Sequence, residues 1–248
     1  AQNSYHSRSE PLLLENKGQL ANSDGTPANH VLFYMNTPRL DFYLTKNGLS
    51  YVFKKIVIDS DSSGNRPDPK HRDEKTTVYH HRVDVTAIDA KINIKNTEIT
   101  YADDQSVSIF NNLMPQGVEN IKPVKKITIK NVYPSIDWQF IVQGENIKYN
   151  FILNSGADIK NIKLRFDGQK DLYLKDDKLI VNSEYGDLEE GPLYSYLSSG
   201  EKVSVKQKLD NNILTYYCDD FVSLKDGQSL TIDPPLVWAT FFGGSGME

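Results

Sequence analysis

Histidines, one cysteine and several acidic pairs are the residues of this chain whose types could do chemistry. His80-His81 follows His71 across a charged stretch. Adjacent residues of a strand point to opposite faces, so a regular strand cannot aim His80 and His81 at one metal ion. His81 shares a face with Tyr79, Val83, Val85 and Ala87, and His80 with Arg82 and Asp84. We expect a buried, hydrogen-bonded His81 and an exposed His80, with a metal site as the alternative. Glu189-Glu190 is the acidic pair to weigh most carefully. Two carboxyls can act as acid and base on a glycosidic bond. Before Gly191-Pro192, however, the pair reads as a solvated turn. Asp103-Asp104 and Asp219-Asp220 read as turns or strand ends, because neither has the alternating oxygen ligands and closing Glu of a calcium loop.

Cys218 is the single cysteine, which excludes an internal disulfide and any multi-cysteine zinc site. Tyr216 and Leu214 lie beside it, the setting of a buried structural thiol. There is no G-x-S-x-G elbow, phosphate loop or dinucleotide fingerprint. Gly243-Gly244-Ser245-Gly246 lacks the strand-to-helix context that phosphate binding needs. The sequence therefore assigns no catalytic, metal-ligating or cofactor-binding residue, and no binding residue can be named. The chain holds 14 Tyr and 10 Phe. Exposed aromatics on a β face can stack on sugars, but Tyr43, Tyr173, Tyr194 and Tyr196 read as too scattered to form one site.

Charge and hydropathy narrow the classes further. The net charge is −5, so the basic footprint of a nucleic-acid binder is absent. No run of 18 apolar residues occurs, the length a membrane-spanning helix needs. No segment keeps an apolar period of 3.6 residues over three turns. Short alternating runs between turn signals predict an all-β, antiparallel, two-layer sandwich with very little helix.

Four hairpins follow from pairing arithmetic. A turn at Gly144-Glu145 sets Val142 against Ile147, Phe140 against Tyr149, Trp138 against Phe151 and Ile136 against Leu153. A turn at Asp176-Asp177 sets Leu174 against Leu179 and Leu172 against Val181. One at Asn211-Asn212 sets Leu209 against Leu214, Gln207 against Tyr216 and Val205 against Cys218. One at Asn47-Gly48 sets Leu44 against Tyr51 and Phe42 against Phe53. Further strands are expected at Val31–Met35, Val78–Ile88, Lys91–Ile94, Ile127–Lys130, Ile162–Phe166 and Leu230–Ile232.

Residues 1–29 read as an extended segment. Asp59–Lys75 reads as a long charged loop and Asn111–Pro123 as a break. The expected division is a first β lobe at 30–115 and a second at 116–235, with one continuous sandwich as the alternative. Pro234-Pro235 ends the preceding strand. Leu236–Phe242 is then an apolar strand expected to dock along a sheet edge, with residues 243–246 as a hinge toward a following domain. Ala1-Gln2-Asn3 fits either the mature end left by signal-peptide removal or an arbitrary boundary.

Four segments together resemble a known family. Leu14-Glu15-Asn16-Lys17-Gly18-Gln19 is similar to the opening of the N-terminal module of bacterial surface proteins that carry SBBP β-propeller repeats. Asn47 to Phe53 resembles that module's first hairpin. Asn131-Val132-Tyr133-Pro134-Ser135-Ile136-Asp137-Trp138 is similar to its "VYPGID" segment, with Ser135 in place of Gly. Val237-Trp238-Ala239-Thr240-Phe241-Phe242-Gly243-Gly244-Ser245-Gly246 is similar to the entry of a first repeat. The resemblance implies an exported, extracellular protein of the Bacteroidetes cell surface. It implies type IX secretion in many members, and adhesion or gliding in some. It implies a non-enzymatic structural or interaction module, without cofactors. Its partners would be the propeller repeats of the same chain and other outer-membrane or cell-surface proteins. A carbohydrate-binding module is the alternative function, and a glycan hydrolase resting on Glu189-Glu190 a remote one.

Overall fold

The computed structural model describes residues 11–59, 75–102, 106–111, 114–219 and 223–240. The chain is all-β. Among the described residues the only helical pieces are two 3-10 turns, Ile94–Asn96 and Ile159–Asn161. Every strand pairing among them is antiparallel.

An eight-stranded sheet runs in the order β1 (Leu14–Glu15), β2 (Val31–Asn36), β3 (Leu40–Thr45), β4 (Gly48–Asp59), β5 (Lys75–Ala87), β12 (Lys163–Asp167), β18 (Ile213–Tyr217), β17 (Lys206–Asp210). A six-stranded sheet runs β16 (Tyr194–Leu197), β19 (Ser229–Asp233), β11 (Asn146–Asn154), β10 (Ile136–Gln143), β9 (Val124–Tyr133), β6 (Thr97–Tyr101). A four-stranded sheet joins β13 (Asp171–Lys175), β14 (Lys178–Asn182), β15 (Asp187–Glu190) and β20 (Leu236–Thr240), and β7 (Val107–Asn111) pairs with β8 (Met114–Ile121).

Alternation makes the core. The eight-stranded sheet buries Phe33, Phe42, Leu44, Tyr51, Phe53, Val83, Val85, Leu164, Phe166, Leu214 and Tyr216. The six-stranded sheet buries Ile127, Ile129, Ile136, Trp138, Phe140, Tyr149, Phe151, Leu230 and Ile232 against them. The aromatics interlock, with Trp138 stacked on Phe151 at 5.2 Å and Phe42 meeting Phe140 at 6.1 Å. One continuous cluster runs from Leu13 to Ile232, and the eight-stranded sheet takes strands from both sides of residue 115. A second cluster, including Leu14, Tyr34 and Ile121, seats the β7–β8 pair on β1 and β2.

The hairpins at Gly144-Glu145 and Asp176-Asp177 have the expected registers. Asp176 and Asp177 both take positive φ, as do Asn211 and Asn212 at the fourth turn, the conformation a tight hairpin turn with the favoured twist demands. The fourth ladder ends at Lys206↔Tyr217, one pair short of Val205 and Cys218. The first hairpin differs by two residues: Thr45 pairs with Gly48, Leu44 with Leu49 and Phe42 with Tyr51. Gly48 is needed elsewhere. A Cβ on it would lie 2.0 Å from the Val85 carbonyl oxygen, so it lets β4 approach β5, and the turn moves back onto Lys46-Asn47. A two-residue shift keeps every side chain on its face.

Lys91–Ile94 is not a strand. The Asn93 side chain accepts from the Lys95 amide at 3.0 Å and starts a 3-10 turn instead. The expected break at Asn111–Pro123 is largely β8. β4 and β5 pair out to Asp59↔Lys75, which trims the expected charged loop. The rest of that loop, including His71, lies outside the described residues. The final strand docks as expected over Leu236–Thr240, on the β15 edge. Phe241, Phe242 and the glycines after them are outside the described residues.

Candidate functional site

β15 carries the Glu189-Glu190 pair, and here the solvated-turn reading is corrected. A strand sends the two side chains to opposite faces. Glu189 forms a surface ion pair with Lys178. Glu190 faces inward beside Leu188 and opposite Leu179, and is only 3% exposed. The two carboxyls therefore cannot flank one bond.

Glu190 sits where all three large sheets meet. Its Oε2 accepts a 2.7 Å hydrogen bond from the Tyr149 hydroxyl of β11. Tyr51 of β4 and Tyr216 of β18 lie close enough to feel its charge. Burial pushes the Glu190 carboxyl up to about 7, against the smaller opposing pull of the Tyr149 hydrogen bond. Burial first, and the Glu190 charge second, hold Tyr51, Tyr149 and Tyr216 well above the ordinary phenol range. A carboxyl poised near neutrality has the acidity of a general acid, but this one is enclosed by core residues. What the arrangement can do is take up and release a proton at a junction of sheets.

His81 is half-buried and His80 exposed. The Glu184 amide donates to His81 Nδ1 at 3.4 Å. Nε2 must then carry the proton, and it donates to the Gly168 carbonyl at 2.7 Å. Both ring nitrogens are occupied, which leaves none for a metal. Tyr185 packs edge-on against His81 at 6.4 Å and against Tyr79 at 6.3 Å. Among the described residues no group of three or more His, Cys, Asp or Glu side chains could hold a metal ion. Cys218 is partly buried and packs on the core just past β18. Asp219 is exposed and pairs with Lys206 at 2.6 Å. Asp103, Asp104 and Asp220 are outside the described residues.

Three groupings escape sequence reasoning. Ser50 is buried and donates to the Asp84 carboxylate, and Arg82 binds both, at 2.8 Å to Asp84 and 3.0 Å to Ser50. Ser50 and Arg82 line a groove of about 300 Å³ with His30, Tyr43 and Thr45. The hydroxyl is tied to a carboxylate whose charge Arg82 already engages, which makes this an ion network and not an activated nucleophile. Tyr194 and Tyr196, read as scattered, lie 5.3 Å apart on β16, with the Lys202 ammonium 5.3 Å above the Tyr194 ring. Strand alternation placed them on one face; a strand signal over Tyr194–Leu197 would have revealed the pair. Finally, Lys163, Thr215 and Lys208 line up across β12, β18 and β17.

Comparison with curated proteins finds no match, and neither does comparison with solved structures. A protein-family model does match, over residues 13–235 and so from the first core residue to the end of the Pro234-Pro235 step. On that match the chain belongs to the family described as Domain of unknown function (DUF7948).

Proposed function

We propose that this domain is a non-catalytic structural and interaction module of a large exported bacterial surface protein, holding the outgoing chain in a set direction for the β-propeller repeats that follow. The observation that carries this reading is the seating of β20. The segment that resembles the entry of an SBBP repeat completes a four-stranded sheet, antiparallel to β15. A chain leaving from a paired strand has a defined direction, unlike one leaving from a free linker. The resemblance supplies the cell-surface setting, type IX export and a role in adhesion or gliding. The test is ¹⁵N relaxation on a natural polypeptide extending past residue 248. The module and the next domain should tumble with one correlation time. Two independent correlation times would refute the orienting role.

A second reading, carbohydrate binding, is favoured by the Tyr194–Tyr196 pair, with Tyr194 46% exposed. Paired tyrosines on an outer sheet face can stack on a sugar ring. Glycan-array binding that disappears in Tyr194→Ala/Tyr196→Ala would support it, and a blank array would end it.

A further inference from the structure

The outer face at the β17 edge of the eight-stranded sheet carries a row of lysines. Lys163 pairs in register with Thr215, and Thr215 with Lys208. These side chains alternate with the buried Leu164 and Leu214 and the partly buried Leu209, so all three point outward. Two strand spacings, about 10 Å, separate the lysine backbones, a gap two lysine side chains can close. Lys160, from the 3-10 turn Ile159–Asn161, completes the group. Together with Tyr217 they line a shallow concavity of about 350 Å³, and no carboxylate among the described residues lines it.

Three neighbouring acids, Asp167, Asp219 and Asp158, are engaged elsewhere. Asp167 pairs with Arg165 at 2.9 Å and Asp219 with Lys206 at 2.6 Å. The Asp158 side chain accepts from the Lys160 backbone amide. Asp210 shares the outward face of β17 with Lys208 but stands at the turn end, opposite Ile213, and does not line the concavity. In a chain of net charge −5, three lysines lining one concavity, with no carboxylate of the described residues in its lining, make a local potential opposite to that of the whole.

We propose that Lys160, Lys163 and Lys208 form a binding site for a tetrahedral oxyanion, a phosphate or sulfate ester carried on a larger molecule. Lysine binds such groups as a movable point charge. The Thr215 hydroxyl sits between Lys163 and Lys208. Tyr217, 38% exposed and with the Lys206 ammonium 5.9 Å from its ring centre, offers a flat apolar surface beside the anion. A sugar ring or a lipid backbone carrying the ester would lie there. This site is on a different sheet from the Tyr194–Tyr196 pair, and it does not depend on the orienting role proposed for β20.

The test titrates the full chain with tripolyphosphate, with a sulfated tetrasaccharide, and with phosphatidylcholine vesicles with or without phosphatidic acid. Amide shifts should map to β12, β17 and β18 with at least one probe. Lys163→Gln/Lys208→Gln should weaken that binding tenfold or more at unchanged melting temperature. Lys95→Gln/Lys125→Gln removes the same charge from the 3-10 turn Ile94–Asn96 and from β9 of the other sheet and should leave binding within about twofold, as screening of distant charges requires. The probe that binds identifies the source: free polyphosphate, glycan sulfate or lipid phosphate. Failure of all three probes to shift these strands, or an equal loss in the control pair, would overturn the proposal.

Discussion

Replacing Glu190 by Gln should abolish a pH dependence of stability that the wild-type core carries. The unfolded chain has an ordinary glutamate, with a pKa near 4.5, while the folded one holds its proton up to about pH 7. Between these values the native state binds more protons than the unfolded state, so stability falls as pH rises. The stabilisation is complete below pH 4.5 and is lost as pH rises through 7. Its size is about 3 kcal/mol, since one pKa step is roughly 1.4 kcal/mol. Glutamine keeps an oxygen for the Tyr149 hydroxyl but has no charge to bury. Urea unfolding, followed by fluorescence of the buried Trp138, measures the difference at each pH. The two proteins should be nearly equal near pH 4.5, and Glu190→Gln should be the more stable by about 3 kcal/mol at pH 8. For a chain of this size that corresponds to roughly 6–12 °C in melting temperature. Taking the difference between the two proteins cancels every other titrating group. Parallel pH profiles would refute the reasoning, because they would mean that Glu190 is solvated. Tyr149→Phe provides a second check. It removes the hydrogen bond that favours the carboxylate, so the wild-type transition should move to higher pH.

Three other perturbations test the backbone. Ser135 takes φ +58° in the two-residue turn after Pro134, a conformation that costs a side chain energy and glycine nothing. Ser135→Gly should raise stability by roughly 0.5–1 kcal/mol in thermal unfolding, and a lower melting temperature would contradict this. Gly48→Ala drives a Cβ into the Val85 carbonyl and should cost at least ~2 kcal/mol, readable as a lower urea midpoint; an unchanged midpoint would show that β4 and β5 can separate freely. Deleting residues 236–248 strips β20 from β15 and opens the edge beside Glu190. It should lower the melting temperature clearly, and an unchanged value would mean that the docked strand adds nothing to this domain.

The sequence alone determined the all-β class, because alternation with period two and the absence of any 3.6-residue period leave no other element to build. It determined two hairpin registers completely, at Gly144-Glu145 and Asp176-Asp177, where every inward pair is apolar and a one-residue slip would bury charge. It also located the docking strand at Leu236, since an apolar run after two prolines has to be covered by something. Local signals failed where one residue served two masters. The glycine of Asn47-Gly48 looked like a turn residue, but is required by a contact with Val85, 37 positions away. The Glu189-Glu190 pair looked solvated because its nearest neighbours are a glycine and a proline. Its environment comes from Tyr51, Tyr149 and Tyr216, three strands that no local pattern connects to β15. The lysine row across β12, β18 and β17 joins positions 163 and 208 through Thr215. Pairing β18 with β17 was legible from the Asn211-Asn212 turn, but pairing it with β12 was not. Burial, charge environment and non-local strand order are properties of the packed sandwich, and only the tertiary structure decides them.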